Sequence, residues 1–125
     1  MMSAIKAKDT KPEQFVRRYL HSAGLRFRLH DRGLPGTPDL VVPKYRAAGF
    51  VNGCFWHRHP DCRYATTPAT RPDFWASKFD LTVARDHAKS AALRKTGWCV
   101  LTIWECEAHD ELALDRLFWQ VVSGP

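Results

Sequence analysis

Between Gly49 and Cys62 the chain reads GFVNGCFWHRHPDC, a short stretch carrying two Cys, two His and a Phe-Trp pair. Cys54, His59 and Cys62 offer three metal ligands within nine positions, and Cys106, far along the chain, is a candidate fourth. Structural zinc is held tetrahedrally by such a Cys/His set, closed to water. The spacing is not that of a common zinc finger, and the alternative is that these thiols are buried as small hydrophobes. A polar, Pro-containing loop is poor core material, which favours the metal. Cys99 lies between Trp98 and Val100 in an apolar run and reads as a core thiol. His57 stands beside the cluster while His59 has the better ligand spacing, leaving one imidazole for acid–base work. Asp39 follows Pro38 and precedes the apolar Leu40-Val41-Val42. That position exposes a carboxylate at a sheet end, where it could hold Mg²⁺ against a phosphate, although a Pro-Asp pair is also ordinary turn chemistry.

These side chains must be positioned by regular elements, and the sequence marks several. Thr10-Lys11-Pro12-Glu13 has the form of a capping box, and Phe15, Val16, Tyr19, Leu20 and Ala23 follow at helical spacing, predicting a helix from about Lys11 to Ala23, stopped by Gly24. Leu25 to Leu29 alternates apolar with basic and predicts a strand, followed by the turn-rich HDRGLPGTPD. Leu40 to Val42 and Ala47 to Val51 read as a hairpin around PKYR. PDFWASKF and TVARDHAKSAALRKTG predict one long basic helix or two. WCVLTIWE suits a strand buried on both faces, and a last amphipathic helix is expected over about Asp110 to Val121. Helix, strands, helix, strand, helix argues for an α/β sandwich with a mixed sheet.

A chain of 125 residues has room for one domain and a modest core. Lys plus Arg outnumber Asp plus Glu 19 to 13, and the pI near 9.4 favours a polyanionic partner, with nucleic acid foremost. In that setting Phe55 and Trp56, on a loop a metal would stiffen, and Trp75 beyond them are candidate wedges between base pairs; the alternative is that they are core. No segment reads as a signal peptide, and no apolar run approaches the roughly 18 residues of a membrane span, so a cytoplasmic location is expected. In a reducing compartment the Cys residues should be unpaired. There is no internal repeat.

In the wide PD-(D/E)xK nuclease group the strand after the acid ends in acid-x-Lys; here it ends Val51-Asn52-Gly53. The segments MSAIKAKDTKPE, LPGTPDLVV, GCFWHRHPDC, PATRPDFW and GWCVLTIWEC occur in order. Together, from Met2 to about Cys106, they resemble the Vsr-type very-short-patch repair endonucleases. The resemblance implies a three-layer α/β/α restriction-endonuclease-like sandwich with a mixed central sheet and one structural zinc. It implies a Mg²⁺-dependent enzyme that nicks one DNA strand beside a T:G mismatch left by deamination of 5-methylcytosine. On matching positions, Asp39 resembles the metal-binding catalytic carboxylate and His57 the histidine that activates the attacking water. Glu13 resembles a first-helix acid near the site, beside its capping role, and Val51 the residue that coordinates Mg²⁺ through its backbone carbonyl. Cys54, His59, Cys62 and Cys106 resemble the zinc ligands, with a one-residue difference in the His59 to Cys62 spacing from some members. Phe55, Trp56 and Trp75 resemble the aromatics that wedge into DNA.

Two departures stand out. Asn52 occupies the place of a second active-site His, and an amide cannot exchange protons as imidazole does, though it can hydrogen-bond phosphate. Family members usually carry a further N-terminal arm before the equivalent of Met2, and this single domain over residues 1–125 is expected to lack it. The implied partner is double-stranded DNA with a mismatch, with mismatch-repair proteins as further partners, a monomeric enzyme and action at the bacterial nucleoid. Two alternatives stay open: a zinc-stiffened mismatch-binding module with little hydrolysis, and a nicking or homing nuclease of the same fold without T:G specificity. Having Asp39 and His57 together favours an enzyme, since binding alone needs neither.

Overall fold

The computed structural model describes residues 10–124; most of MSAIKAKDTKPE therefore lies outside the described residues. Helix α1 spans Lys11–Ser22 and starts as its sequence predicts. The Thr10 hydroxyl accepts from the Glu13 N–H, and the Glu13 carboxylate accepts from the Thr10 N–H, so two otherwise orphaned donors are satisfied. The helix ends where Gly24 takes φ 85°, a conformation that favours glycine. Its inner face buries Val16 and Leu20.

Four strands follow, β1 (Arg28–Leu29), β2 (Leu40–Val42), β3 (Ala47–Asn52) and β4 (Cys99–Trp104), in the spatial order β1-β2-β3-β4. The β1–β2 and β2–β3 pairs are antiparallel, while β3 and β4 run parallel, joined by the crossover helix α2 (Pro72–Lys95). The sheet is thus mixed, as expected of this element order. Helix α3 spans Glu111–Ser123, with the Asp110 side chain accepting from the Leu112 N–H at its start.

Alternation along the strands divides the core. Leu40, Val42, Ala47, Leu101 and Ile103 form one cluster with Val16 and Leu20 of α1 and Leu114, Leu117 and Val121 of α3. Ala48 and Phe50, pointing the other way, meet Leu93 of α2, with Trp98 and Val100 packed alongside. Tyr19 of α1 also donates a hydrogen bond to Asp115 of α3. That bond and the burial of the phenol push the Tyr19 pKa up to about 12.

Two sequence expectations are corrected. The strand expected over Leu25 to Leu29 pairs only at Arg28 and Leu29, because Leu25 and Phe27 pack against the first cluster instead of extending the ladder. The segment expected to be buried on both faces is an edge strand: Leu101 and Ile103 of β4 are buried, but Thr102 between them is exposed. The two helical segments after Arg71 form the single helix α2 of 24 residues. Among the described residues, no helix is long and apolar enough to cross a membrane.

Candidate active site and metal centre

The start of α1, the start of β2 and the end of β3 meet at one end of the sheet. Asp39 immediately precedes β2, and its Oδ2 accepts from the Val51 N–H of β3 at 2.8 Å. Glu13, in the first turn of α1, is 7% exposed, and its Oε2 lies 2.8 Å from Nε2 of His30. His30 is in turn tied to Asp39, whose carbonyl accepts from the His30 N–H at 3.1 Å. One ligand atom each from Glu13, His30 and Asp39 lies within 4.8 Å of the others. Burial raises the Asp39 pKa; the Val51 N–H opposes the shift and the Glu13 charge adds to it. Desolvated carboxylates at such a distance favour a cation among them.

A cleft of about 510 Å³ opens over this group, lined by Glu13, Asp39, Val51, Asn52, Trp56 and His57 among others. His57 enters it from the loop after β3, and its Nδ1 lies 2.7 Å from Oδ2 of Asp86 in α2. A carboxylate at Nδ1 fixes the ring and its tautomer, so Nε2 is the nitrogen available to take a proton. Asn52, buried at the end of β3, lines this cleft and a neighbouring polar one of about 530 Å³ that includes His87, Ser90 and Arg94 of α2.

The loop carrying His57 is held by its own chemistry. Arg58 and Asp61 both have left-handed backbones, each a strain of roughly 1–3 kcal/mol that surrounding contacts must offset. The Arg58 guanidinium donates to the carbonyls of Phe55, Ala65 and Thr66 and lies 4.0 Å from the Phe79 ring centroid. Cys54, His59, Cys62 and Cys106 converge below it, with one ligand atom of each within 4.8 Å of the rest. Zinc–sulfur bonds of about 2.3 Å put neighbouring tetrahedral ligands about 3.8 Å apart, so the cluster fits that ion with little movement. The His59 ring stacks on Trp104 at 4.3 Å, and Cys106 Sγ lies 3.4 Å from His59 Nδ1. Burial pushes the Cys106 thiol up to about 12 and raises Cys54, whereas backbone N–H donors lower Cys62. Cys99 stays outside, packed against the first core cluster.

Phe55, Trp56 and Trp75 form a contiguous aromatic group with Phe79, with centroid separations of 5.1–5.9 Å. All three are half-buried while Phe79 is buried, so the group is seated on the core and also presents ring surface at the mouth of the cleft.

The structure therefore brings Glu13, Asp39, Val51, Asn52, Phe55, Trp56 and His57 to one cleft, with Trp75 in contact with the two aromatics and the Cys/His cluster beneath the same loop. Sequence reasoning missed His30, Asp86, Phe79 and Glu105. The Glu105 carboxylate accepts from the Cys54 N–H at 3.3 Å and lines the cleft. His30 could have been suspected from the short antiparallel turn joining it to Asp39. Asp86 carries no local signal, because only the docking of α2 brings it to His57.

The protein is a mixed α/β domain with two side-chain groups that could hold a metal ion, a Cys/His cluster and a carboxylate–histidine group in a cleft. A family profile described as DNA mismatch endonuclease Vsr matches residues 1–64. The type II nicking enzyme V.XorIIP of Xanthomonas oryzae is 49% identical over 115 residues, covering 92% of this chain and 84% of that protein. The DNA mismatch endonuclease Vsr of Escherichia coli is 45% identical, covering 93% of this chain and 78% of its own length. The type II nicking enzyme V.NmeAIP of Neisseria meningitidis is 39% identical, covering 89% and 79%. The chain belongs to the Vsr DNA mismatch endonuclease family.

Proposed function

We propose that this protein is a Mg²⁺-dependent endonuclease that nicks one strand of duplex DNA beside a T:G mismatch, on a restriction-endonuclease-like α/β/α domain with one structural zinc. The observation that carries the reading is the meeting of Asp39 and the Asp86-bonded His57 in one cleft, beneath half-buried aromatics. The names of the relatives, mismatch endonuclease and nicking enzyme, support the same class.

Asp39 and the Val51 carbonyl would hold Mg²⁺, with Glu13 close by; when bound, the ion would supply Lewis-acid chemistry and neutralise charge on the phosphate. His57 Nε2 takes the proton of the attacking water, and Asp86 stabilises the imidazolium that results. Asn52, unable to share that proton transfer, hydrogen-bonds a phosphate oxygen. Cys54, His59, Cys62 and Cys106 would hold zinc, which would stiffen the loop so that His57 and the Phe55-Trp56 pair keep a fixed separation. Phe55, Trp56 and Trp75 insert at the mismatch, where a poorly stacked wobble pair costs less to unstack than a matched one. The enzyme acts as a cytoplasmic monomer. A second reading, nicking without T:G selectivity, keeps the same catalytic groups and differs only in the aromatic role.

Asp39→Ala tests the catalytic part. It should abolish nicking of a T:G duplex in Mg²⁺ while leaving binding to that duplex within a few-fold of wild type. Nicking at the wild-type rate would refute the role of Asp39.

A further inference from the structure

We propose that His30 is a nitrogen ligand of the catalytic cation, so that the site, while served by Mg²⁺ in the reaction, binds a first-row transition-metal ion such as Mn²⁺ more tightly. The inference rests on the metal-dependent reading of the Asp39 cleft and adds to it a donor with no place in that reading.

The sequence puts His30 just after β1, nine positions before Asp39, and the β1–β2 pairing folds the two back together. The His30 N–H to Asp39 carbonyl bond, at 3.1 Å, continues that ladder one step beyond the strand. His30 itself has φ 49°, in the left-handed region where His is one of the better-tolerated side chains. The ring is thereby turned onto α1 and brought to 2.8 Å from the Glu13 carboxylate. Its side chain is 19% exposed and that of Glu13 8%, so the pair is shielded from water.

The remaining oxygens decide what the group can hold. Glu13 Oε1 is engaged by Thr10, leaving Oε2 for His30 or a cation. Asp39 Oδ2 is engaged by Val51, which leaves Oδ1. A carboxylate oxygen from each acid and one imidazole nitrogen, all within 4.8 Å of one another, make a mixed oxygen–nitrogen set. Mg²⁺ takes oxygen almost exclusively and gains little from imidazole, whereas Mn²⁺ and its heavier neighbours gain from each nitrogen. Thiolates in the Cys/His cluster select softer ions, so Mn²⁺ addresses the carboxylate site without displacing zinc.

The test uses protein purified without chelator and titrates Mn²⁺ by paramagnetic resonance, with Mg²⁺ as competitor. Wild type should bind one Mn²⁺ that shows nitrogen-14 coupling, and Asp39→Ala should remove that binding. His30→Gln can still donate to Glu13 but offers no imidazole. It should lose the nitrogen coupling and weaken Mn²⁺ at least about tenfold, with Mg²⁺ changed much less. His30→Ala should lose the coupling as well, and circular dichroism checks that both variants are folded. Nitrogen coupling and Mn²⁺-over-Mg²⁺ preference that persist in His30→Gln, with binding still dependent on Asp39, would overturn the assignment of His30 alone. Absence of Mn²⁺ binding in wild type, or binding indifferent to Asp39→Ala, would overturn the metal site itself.

Discussion

Asp86→Asn isolates the contact that orients the proposed base. Asp86 Oδ2 lies 2.7 Å from His57 Nδ1, a charge-assisted distance, and the two side chains are 22% and 26% exposed. A positioned general base contributes about 10²–10⁴ in rate. Asparagine is nearly isosteric, but it loses the charge that stabilises the imidazolium. If its NH₂ faces Nδ1, it also selects the tautomer with the proton on Nε2, which cannot accept another. Partial solvent access places the loss near the lower end of the range, about a hundredfold in single-turnover nicking, or about 2.7 kcal/mol of barrier. Because Asp86 lies behind the ring, affinity for a T:G duplex should change by less than about threefold. The assay is single-turnover cleavage of an end-labelled duplex with equilibrium binding measured on the same preparation. A rate within about threefold of wild type, or a loss matched by equal loss of binding, would refute the orienting role.

Two further outcomes follow from the loop. Purified protein should carry about one zinc per chain by metal analysis and should lose thermal stability on chelation, since ligand deprotonation and metal binding are coupled to folding; Cys99→Ser should leave the zinc content unchanged, and zinc-free protein of full stability would reject the Cys54, His59, Cys62 and Cys106 site. Replacing Phe55 and Trp56 together with Ala should reduce discrimination between T:G and matched duplexes more than affinity for matched DNA, because phosphate contacts from basic residues persist; discrimination unchanged in that variant would remove the wedge.

Local chemistry was readable from the sequence wherever it was written locally. The capping box at Thr10 and Glu13, the hairpin around Pro43 and the Cys54, His59, Cys62 grouping depend on neighbours in the chain, and each is found as expected. Cys106 was legible because it lies just past the end of an apolar strand, and the parallel pairing of β4 with β3 carries it to the loop. What escaped depends on packing across the molecule. Asp86 reads as one more charge on a polar helix, and only the seating of α2 against Ala48 and Phe50 turns it towards His57. The apolar run of β4 suggested a central strand, yet its place at the sheet edge leaves Thr102 exposed, which composition alone does not reveal. Glu13 was seen as a cap and as a site acid, and it serves the first role while lying beside Asp39.

The most direct test of the central claim is strand nicking by the wild-type protein in Mg²⁺ on three duplexes that differ at one pair, T:G, C:G and T:A, at a single salt concentration. The account predicts a nick in one strand beside the T of the T:G duplex, with the two matched duplexes cut far more slowly. Equal cutting of all three would contradict mismatch recognition, and no cutting of any would contradict the catalytic assignment of the Asp39 and His57 cleft.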